Sequence, residues 1–245
     1  GEDGIGISAF GIGEDWNDLF LDNLARYGGG VSQYIDRPSK VREALKSEIN
    51  GLTKLVVRKA ELLANSVSYV RLLNAFRVTP HMEKLSLESQ SIVEIGDLSS
   101  GDPVTLVLEF VVYHQESGEK RIARLEFSGQ NVQSSEPVRL HHDVRVNFSE
   151  MPEESAVPSR LLNLVARLSV FRLQEQAWLA LDSGSPQQAT HYLESAATHL
   201  FDMGYRGLGR AAMLEVDRIS RGANPTDAGR KRLRYGTRSL SVPSS

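Results

Sequence analysis

IGISAFGIGEDWNDLFLDNLARYGGGVSQYID, residues Ile5 to Asp36, is the stretch that decides the fold. Ile5, Ile7, Ala9 and Phe10 form a short apolar run ending in Gly11-Ile12-Gly13, as a buried strand of an α/β sheet does. Glu14 and Asp15 follow, and negative charge there suits the positive end of a helix macrodipole. Leu19, Phe20, Asn23, Leu24 and Tyr27 fall at helical spacing. Gly28-Gly29-Gly30 then supplies residues able to take the positive φ of a helix end, and Val31 to Ile35 resumes an extended run. Two strands joined through one helix make a parallel crossover unit.

Working outward, Asp36-Arg37-Pro38-Ser39 closes the second strand. Val41, Ala44, Leu45, Ile49 and Leu52 recur at spacings of three and four, which predicts a helix over Lys40 to Leu52. From Thr53 the period changes. Leu55, Val57, Leu63, Val67, Tyr69, Leu73, Phe76 and Val78 belong to β-rich segments, and further extended runs cover Ser91–Ile95, Val104–Tyr113, Lys120–Phe127 and Val138–Phe148. Turn chemistry separates them, with the clearest hairpin predicted at Tyr113–Lys120. Short strands at this spacing predict an antiparallel sandwich.

Met151–Pro158 reads as a linker. After it the pattern is helical. Leu161, Leu164, Val165, Leu168, Phe171, Trp178 and Leu181 mark one long amphipathic stripe, which Asp182-Ser183-Gly184 stops. Ser185-Pro186-Gln187-Gln188 carries the signature of a capped helix start. A third helix is expected from about Tyr205 to Ser220 and a fourth, short one after Thr226-Asp227, before a patternless tail.

The ordered pattern FGIGEDWN…LDNLARYGGG…YID resembles the last strand–helix–strand of a von Willebrand factor type A (vWA) domain, and Lys40–Leu52 resembles that domain's closing helix. The remainder is similar to bacterial vWA proteins that append a β-sandwich and a helical C-terminus. The expected architecture is the end of a vWA-type α/β domain over 1–52, incomplete without strands upstream of Gly1, then a β-sandwich over 53–150, a helical domain over 151–240 and a disordered tail at 241–245. By this resemblance the chain is the C-terminal portion of a longer bacterial protein, and its first segment is poorly buried unless it pairs with the missing part or other elements pack over it.

Composition narrows the function. Forty per cent hydrophobic and 24 per cent charged residues is ordinary soluble composition, and a net charge of −3 is too small to argue for nucleic acid or for an acidic substrate. Zero cysteines exclude disulfides, thiolate metal sites and a cysteine nucleophile, and fit a reducing compartment, so a cytoplasmic location is expected. No stretch approaches the ~20 apolar residues a membrane helix needs, so no membrane partner is expected.

No catalytic constellation is legible. In the resembled family a divalent cation is held by an Asp-x-Ser-x-Ser loop that precedes this segment; the motif is missing from all 245 residues, so no ligand is assigned and a cation such as Mg would need residues upstream. Adjacent His141 and His142 point to opposite faces of a strand, and His191 and His199 lie about 12 Å apart along a helix, too far to share an ion. Two surfaces remain. Glu14 and Asp15 would line a binding edge at one end of the sheet. Arg230, Lys231, Arg232, Arg234 and Arg238, with Tyr235 among them, form a basic tail where phosphate on Thr237 or Ser239 would meet arginines.

The expected function is therefore a non-enzymatic protein-interaction or scaffolding module of a vWA-domain protein, with a protein partner. A regulatory subunit of a ring-shaped ATPase comes second. Anion or nucleic-acid binding by the basic tail comes third.

Overall fold

The computed structural model describes residues 6–13, 15–35, 37–52, 54–89, 91–101, 103–150 and 157–240. The deciding stretch folds as strand, helix and strand: β1 is Ile7–Ile12, α1 is Asp18–Tyr27 and β2 is Gly29–Ile35. β1 and β2 pair in parallel, with Ala9 opposite Ser32 and Ile12 opposite Ile35, as the crossover reading requires. Ala9, Ala25 and Ile35 are buried. Ile5 lies outside the described residues.

Two details of this unit differ from expectation. α1 begins three residues after Asp15, and its cap is Asn17, whose side-chain Oδ1 accepts from the Phe20 N–H at 2.9 Å. The acid in the first turn is Asp18. The glycines closing the helix also serve another purpose: Gly28 and Gly30 do not take positive φ, but a Cβ on either would run into Ile7 of β1. Close approach of two backbones selects glycine there.

A 3₁₀ turn over Pro38–Lys40 leads into α2, Val41–Leu52. The extended runs follow as β3 Leu55–Ser66, β4 Val70–Thr79, β5 Glu83–Leu85, β6 Leu87–Glu88, β7 Ile92–Ser99, β8 Thr105–Val112, β9 Gly118–Asn131 and β10 Pro137–Phe148. They form two open antiparallel sheets, in the orders β10-β9-β3-β7-β6 and β5-β4-β8. One apolar cluster draws on both: Ala60, Leu62, Ala64, Val93 and Ile95 from the larger sheet, Leu72, Ala75 and Leu85 from the smaller. The expected hairpin at Tyr113–Lys120 does not form. β8 pairs with β4 and β9 with β3 and β10, so that turn carries the chain from one sheet to the other.

The C-terminal region is four helices, α3 Ser159–Asp182, α4 Pro186–Asp202, α5 Arg206–Ser220 and α6 Asp227–Arg238. Their core joins Ala177, Trp178, Leu193, Ala197, Ala212, Val216, Ile219 and Leu233. Leu193 and Leu233 are wholly buried, each contributing about 2 kcal/mol. On α3 the buried stripe is Leu164, Leu168, Phe171 and Trp178, while Leu161 and Val165 stay exposed. Ser185 precedes Pro186 as expected, yet its side chain makes no capping hydrogen bond.

The chain divides into two compact units. One is Gly1–Ala44 with Val157–Ser245, the other Leu45–Ala156. The three consecutive regions expected at 1–52, 53–150 and 151–240 therefore regroup: the strand–helix–strand and the helical region belong to a single unit formed from the two ends of the sequence. Residues 151–156 of the expected linker and the 241–245 tail lie outside the described residues.

Candidate interaction site

Three elements build a charged and aromatic contact inside the discontinuous unit. On α1, Asp18 and Asp22 are four residues apart and so share a face. On β2, Ser32 and Tyr34 are two apart and share a face of the sheet. On α6, Lys231, Arg234, Tyr235 and Arg238 fall on adjoining turns.

The start of α6 is fixed firmly. The Thr226 hydroxyl accepts from the Gly229 N–H at 2.9 Å and donates to the buried Glu215 carboxylate at 2.7 Å, while the Thr226 N–H donates to the other Glu215 oxygen at 2.8 Å. Gly229 has no room for a side chain, since a Cβ there would meet that carboxylate and the Thr226 hydroxyl. At the other end Thr237 is fully buried, and its hydroxyl accepts from Gln174 Nε2 at 2.6 Å.

Held this way, α6 presents its basic face to α1 and β2. Arg234 Nη1 donates to Asp18 Oδ2 at 2.8 Å, and Arg238 takes Asp22 with both terminal nitrogens, at 3.0 and 2.9 Å. The partner moves on four residues in each helix, so α1 and α6 run in the same direction. The Tyr235 hydroxyl donates to Asp22 Oδ1 at 2.9 Å and lies 3.2 Å from the Ser32 hydroxyl. Around it the rings of Trp16, Tyr34 and Tyr235 form a triangle with centroids 5.6 to 6.0 Å apart, within the range of favourable aromatic pairs. The Lys231 ammonium sits 4.6 Å from the Trp16 ring centroid, a cation–π contact.

The electrostatics follow from this geometry. Burial alone would push the Asp22 carboxyl up, but the Arg238 and Arg234 guanidiniums and the Tyr235 hydroxyl together hold it below the ordinary carboxylate value. Burial, together with the Asp22 charge, pushes the Tyr235 phenol well above its usual range. Ion pairs of this kind are shielded: the side chains of Asp18, Asp22, Arg234 and Arg238 are only 12 to 18 % exposed.

The residues singled out from sequence are distributed as follows. Arg234 and Arg238 have carboxylate partners, Lys231 is buried beside Trp16, and Arg230 lies over the Trp178 ring, its centroid 5.4 Å away. Arg232 is exposed. The segment read as a basic tail is the helix α6. Thr237 is closed to solvent and Ser239 is exposed. Asp15 is exposed ahead of α1; Glu14 lies outside the described residues. Sequence reasoning passed over Trp16, Asp18, Asp22, Ser32 and Tyr34. A signal existed, in matching i, i+4 pairs of aspartates at 18 and 22 and arginines at 234 and 238.

At the N-terminal ends of α1 and α6 an open cavity of about 320 Å³ is lined by Trp16, Asn17, Asp18, Asp227, Arg230 and Lys231. Among the described residues no three His, Asp or Glu side chains gather as a metal-binding group, and no helix is long and apolar enough to cross a membrane.

The parallel strand–helix–strand, the antiparallel sheets and the helical region together have the fold of a solved vWA protein. The chain superposes on "von Willebrand factor type A from Catenulispora acidiphila" with a TM-score of 0.73 over 96 % of its own length and 58 % of that chain, at 15 % identity. A second solved structure, the ArnB paralog VWA2 from Sulfolobus acidocaldarius, superposes with a TM-score of 0.41 at 14 % identity. Residues 159–243 match the family model described as Sll0103-like, C-terminal alpha-helical domain. The protein described as "Uncharacterized protein sll0103", from Synechocystis sp., is 22 % identical over 98 % of this chain, which spans 59 % of that relative.

Proposed function

We propose that this chain is a non-enzymatic protein-binding module, the accessory part of a vWA-domain protein that scaffolds an assembly. The observation that carries the reading is the strand–helix–strand itself. β1 pairs with β2 on one edge and has no partner on the other among the described residues. Ile7, Ile12, Leu19, Phe20 and Leu24 are exposed around it, with Phe20 59 % exposed. A two-stranded parallel sheet is not a self-sufficient layer, because parallel sheets are normally covered on both faces. The missing occupant is further sheet, from the part of a longer protein that the Synechocystis relative carries beyond this match. A divalent cation, if the whole protein uses one, would be held by that part. The two antiparallel sheets act in this reading as a sandwich that spaces the binding elements, and a cytoplasmic setting accords with the absence of cysteine.

Capture from a native lysate on the immobilised chain, followed by an ATPase assay of the captured proteins with and without added chain, tests the reading. Specific capture with unchanged hydrolysis supports a scaffold. Stimulated hydrolysis favours the regulatory-subunit alternative. No specific capture, or a turnover reaction catalysed by the chain itself, overturns the proposal.

A further inference from the structure

We propose that the face carrying Trp16, Asp18, Asp22, Ser32 and Tyr34 is a recognition surface for a basic helix with arginines at i and i+4 and a tyrosine between them, occupied here by the chain's own α6. The inference gives a chemistry to the partner of the binding module and rests on that reading. Its first support is composition. Tryptophan, tyrosine and arginine dominate the energetic centres of protein–protein interfaces, and here they meet across two segments separated by more than a hundred residues of sequence. The second is geometry: a helix lying along a face and read through residues three to four apart is a recurrent mode of peptide recognition.

The third support is incompleteness. Arg234 and Arg238 reach their aspartates with terminal nitrogens, while the Nε of each is buried without a hydrogen-bond partner among the described residues. The helical core on the other side of α6 is apolar and includes the wholly buried Leu233. So α6 is bound firmly to the helices and by charges and rings to α1 and β2. Exposing a face rich in charges and hydroxyls to water is less costly than exposing an apolar one, as in interfaces between domains that separate. A competing helix with the same spacing would displace α6 and take its place on the aspartates.

A fluorescein-labelled peptide of residues 225–240, titrated with the full chain and read by anisotropy, tests this directly. The intact chain should bind weakly, and the R234A/R238A chain, whose own helix no longer competes, at least about tenfold more tightly, with binding falling as salt rises. Circular dichroism checks that the variant is folded; if it is not, R234K/R238K removes the bidentate contact more gently. The Asp22→Arg chain should refuse the native peptide and accept one carrying Arg238→Asp. Binding that ignores Asp22→Arg, or a folded weakened chain that binds no peptide, overturns the recognition surface. No natural partner is needed, so failure here is distinct from failed capture, which would count against the module.

Discussion

Replacing Asp22 by asparagine is the sharpest probe of the contact between α6 and the strand–helix–strand. The substitution keeps shape and removes charge. Asp22 receives both terminal nitrogens of Arg238 at 3.0 and 2.9 Å and the Tyr235 hydroxyl at 2.9 Å, and Arg234 Nη2 lies 3.6 Å away. Breaking a fully buried pair by neutralising one partner costs about 3–5 kcal/mol, because the other charge is stranded. Two features reduce that here. The Asp22 and Arg238 side chains are 15 and 18 % exposed, so solvent screens part of the loss, and Arg234 keeps Asp18 at 2.8 Å. About 2–3 kcal/mol remains, a factor of roughly 30 to 150 in the docking equilibrium.

In a unit of this size that corresponds to a fall in Tm of about 4–12 °C, measurable by differential scanning calorimetry. Hydrogen exchange adds a local readout: amides of α6 and α1 should lose protection together, while those of β3 and β9 stay as they were. A cycle through Arg238→Ala and the double variant should give a coupling of about 1 kcal/mol or more. A Tm change under about 1 °C, with α6 protection intact, would refute the reasoning and mean that aromatic packing holds the helix by itself.

Three further outcomes are expected. The folded-state carboxyls of Asp22 and Asp143 both lie below the unfolded value, Asp143 down to about 2 through its hydrogen bond and ion pair with Arg124, so their stabilisation is complete above about pH 4 and lost as pH falls through the folded values. Protection of α6 amides, corrected for intrinsic rate, should accordingly hold above about pH 4 and drop as the pH is lowered below it, and equal protection on both sides would contradict it. Thr237→Val removes the acceptor for Gln174 Nε2 inside the helical core and should cost about 1–3 kcal/mol in urea unfolding, with Thr237→Ser milder; an unchanged midpoint for Val would show that the buried donor finds another acceptor. Gly229→Ala should destabilise by about 1–3 kcal/mol despite alanine's better helix propensity, because its methyl meets Glu215 and Thr226; a more stable variant would mean that this turn relaxes freely.

Much of the fold was legible because the signals are local. Apolar runs, a glycine-marked turn and a helical stripe placed β1, α1 and β2 within a few residues, and the pairing is parallel as the crossover rule demands. Thr226 was legible as a cap for the same reason. What failed was information that passes between distant segments. Tyr113–Lys120 has the composition of a hairpin turn, but turn residues fix only that the chain reverses, and the strand that each run pairs with is decided by which apolar faces meet in the shared core. Leu161 and Val165 fit the helical period on α3 and remain exposed, since periodicity names a face without showing that anything covers its whole length.

The basic segment at Arg230–Arg238 shows the same limit with a functional consequence. Read alone, five cations and a tyrosine look like a surface waiting for phosphate or nucleic acid. In the fold, the two arginines best placed to clamp an anion already hold carboxylates, and the tyrosine closes the gap between them. An incoming phosphate would have to displace Asp18 and Asp22, which are tethered on one helix and act together at high effective concentration. A basic helix from a partner meets a tethered competitor too, since it must displace α6, but it offers the acidic face the same arginine contacts in exchange. For Arg234 and Arg238 to capture an anion, the pairs with Asp18 and Asp22 would first have to break.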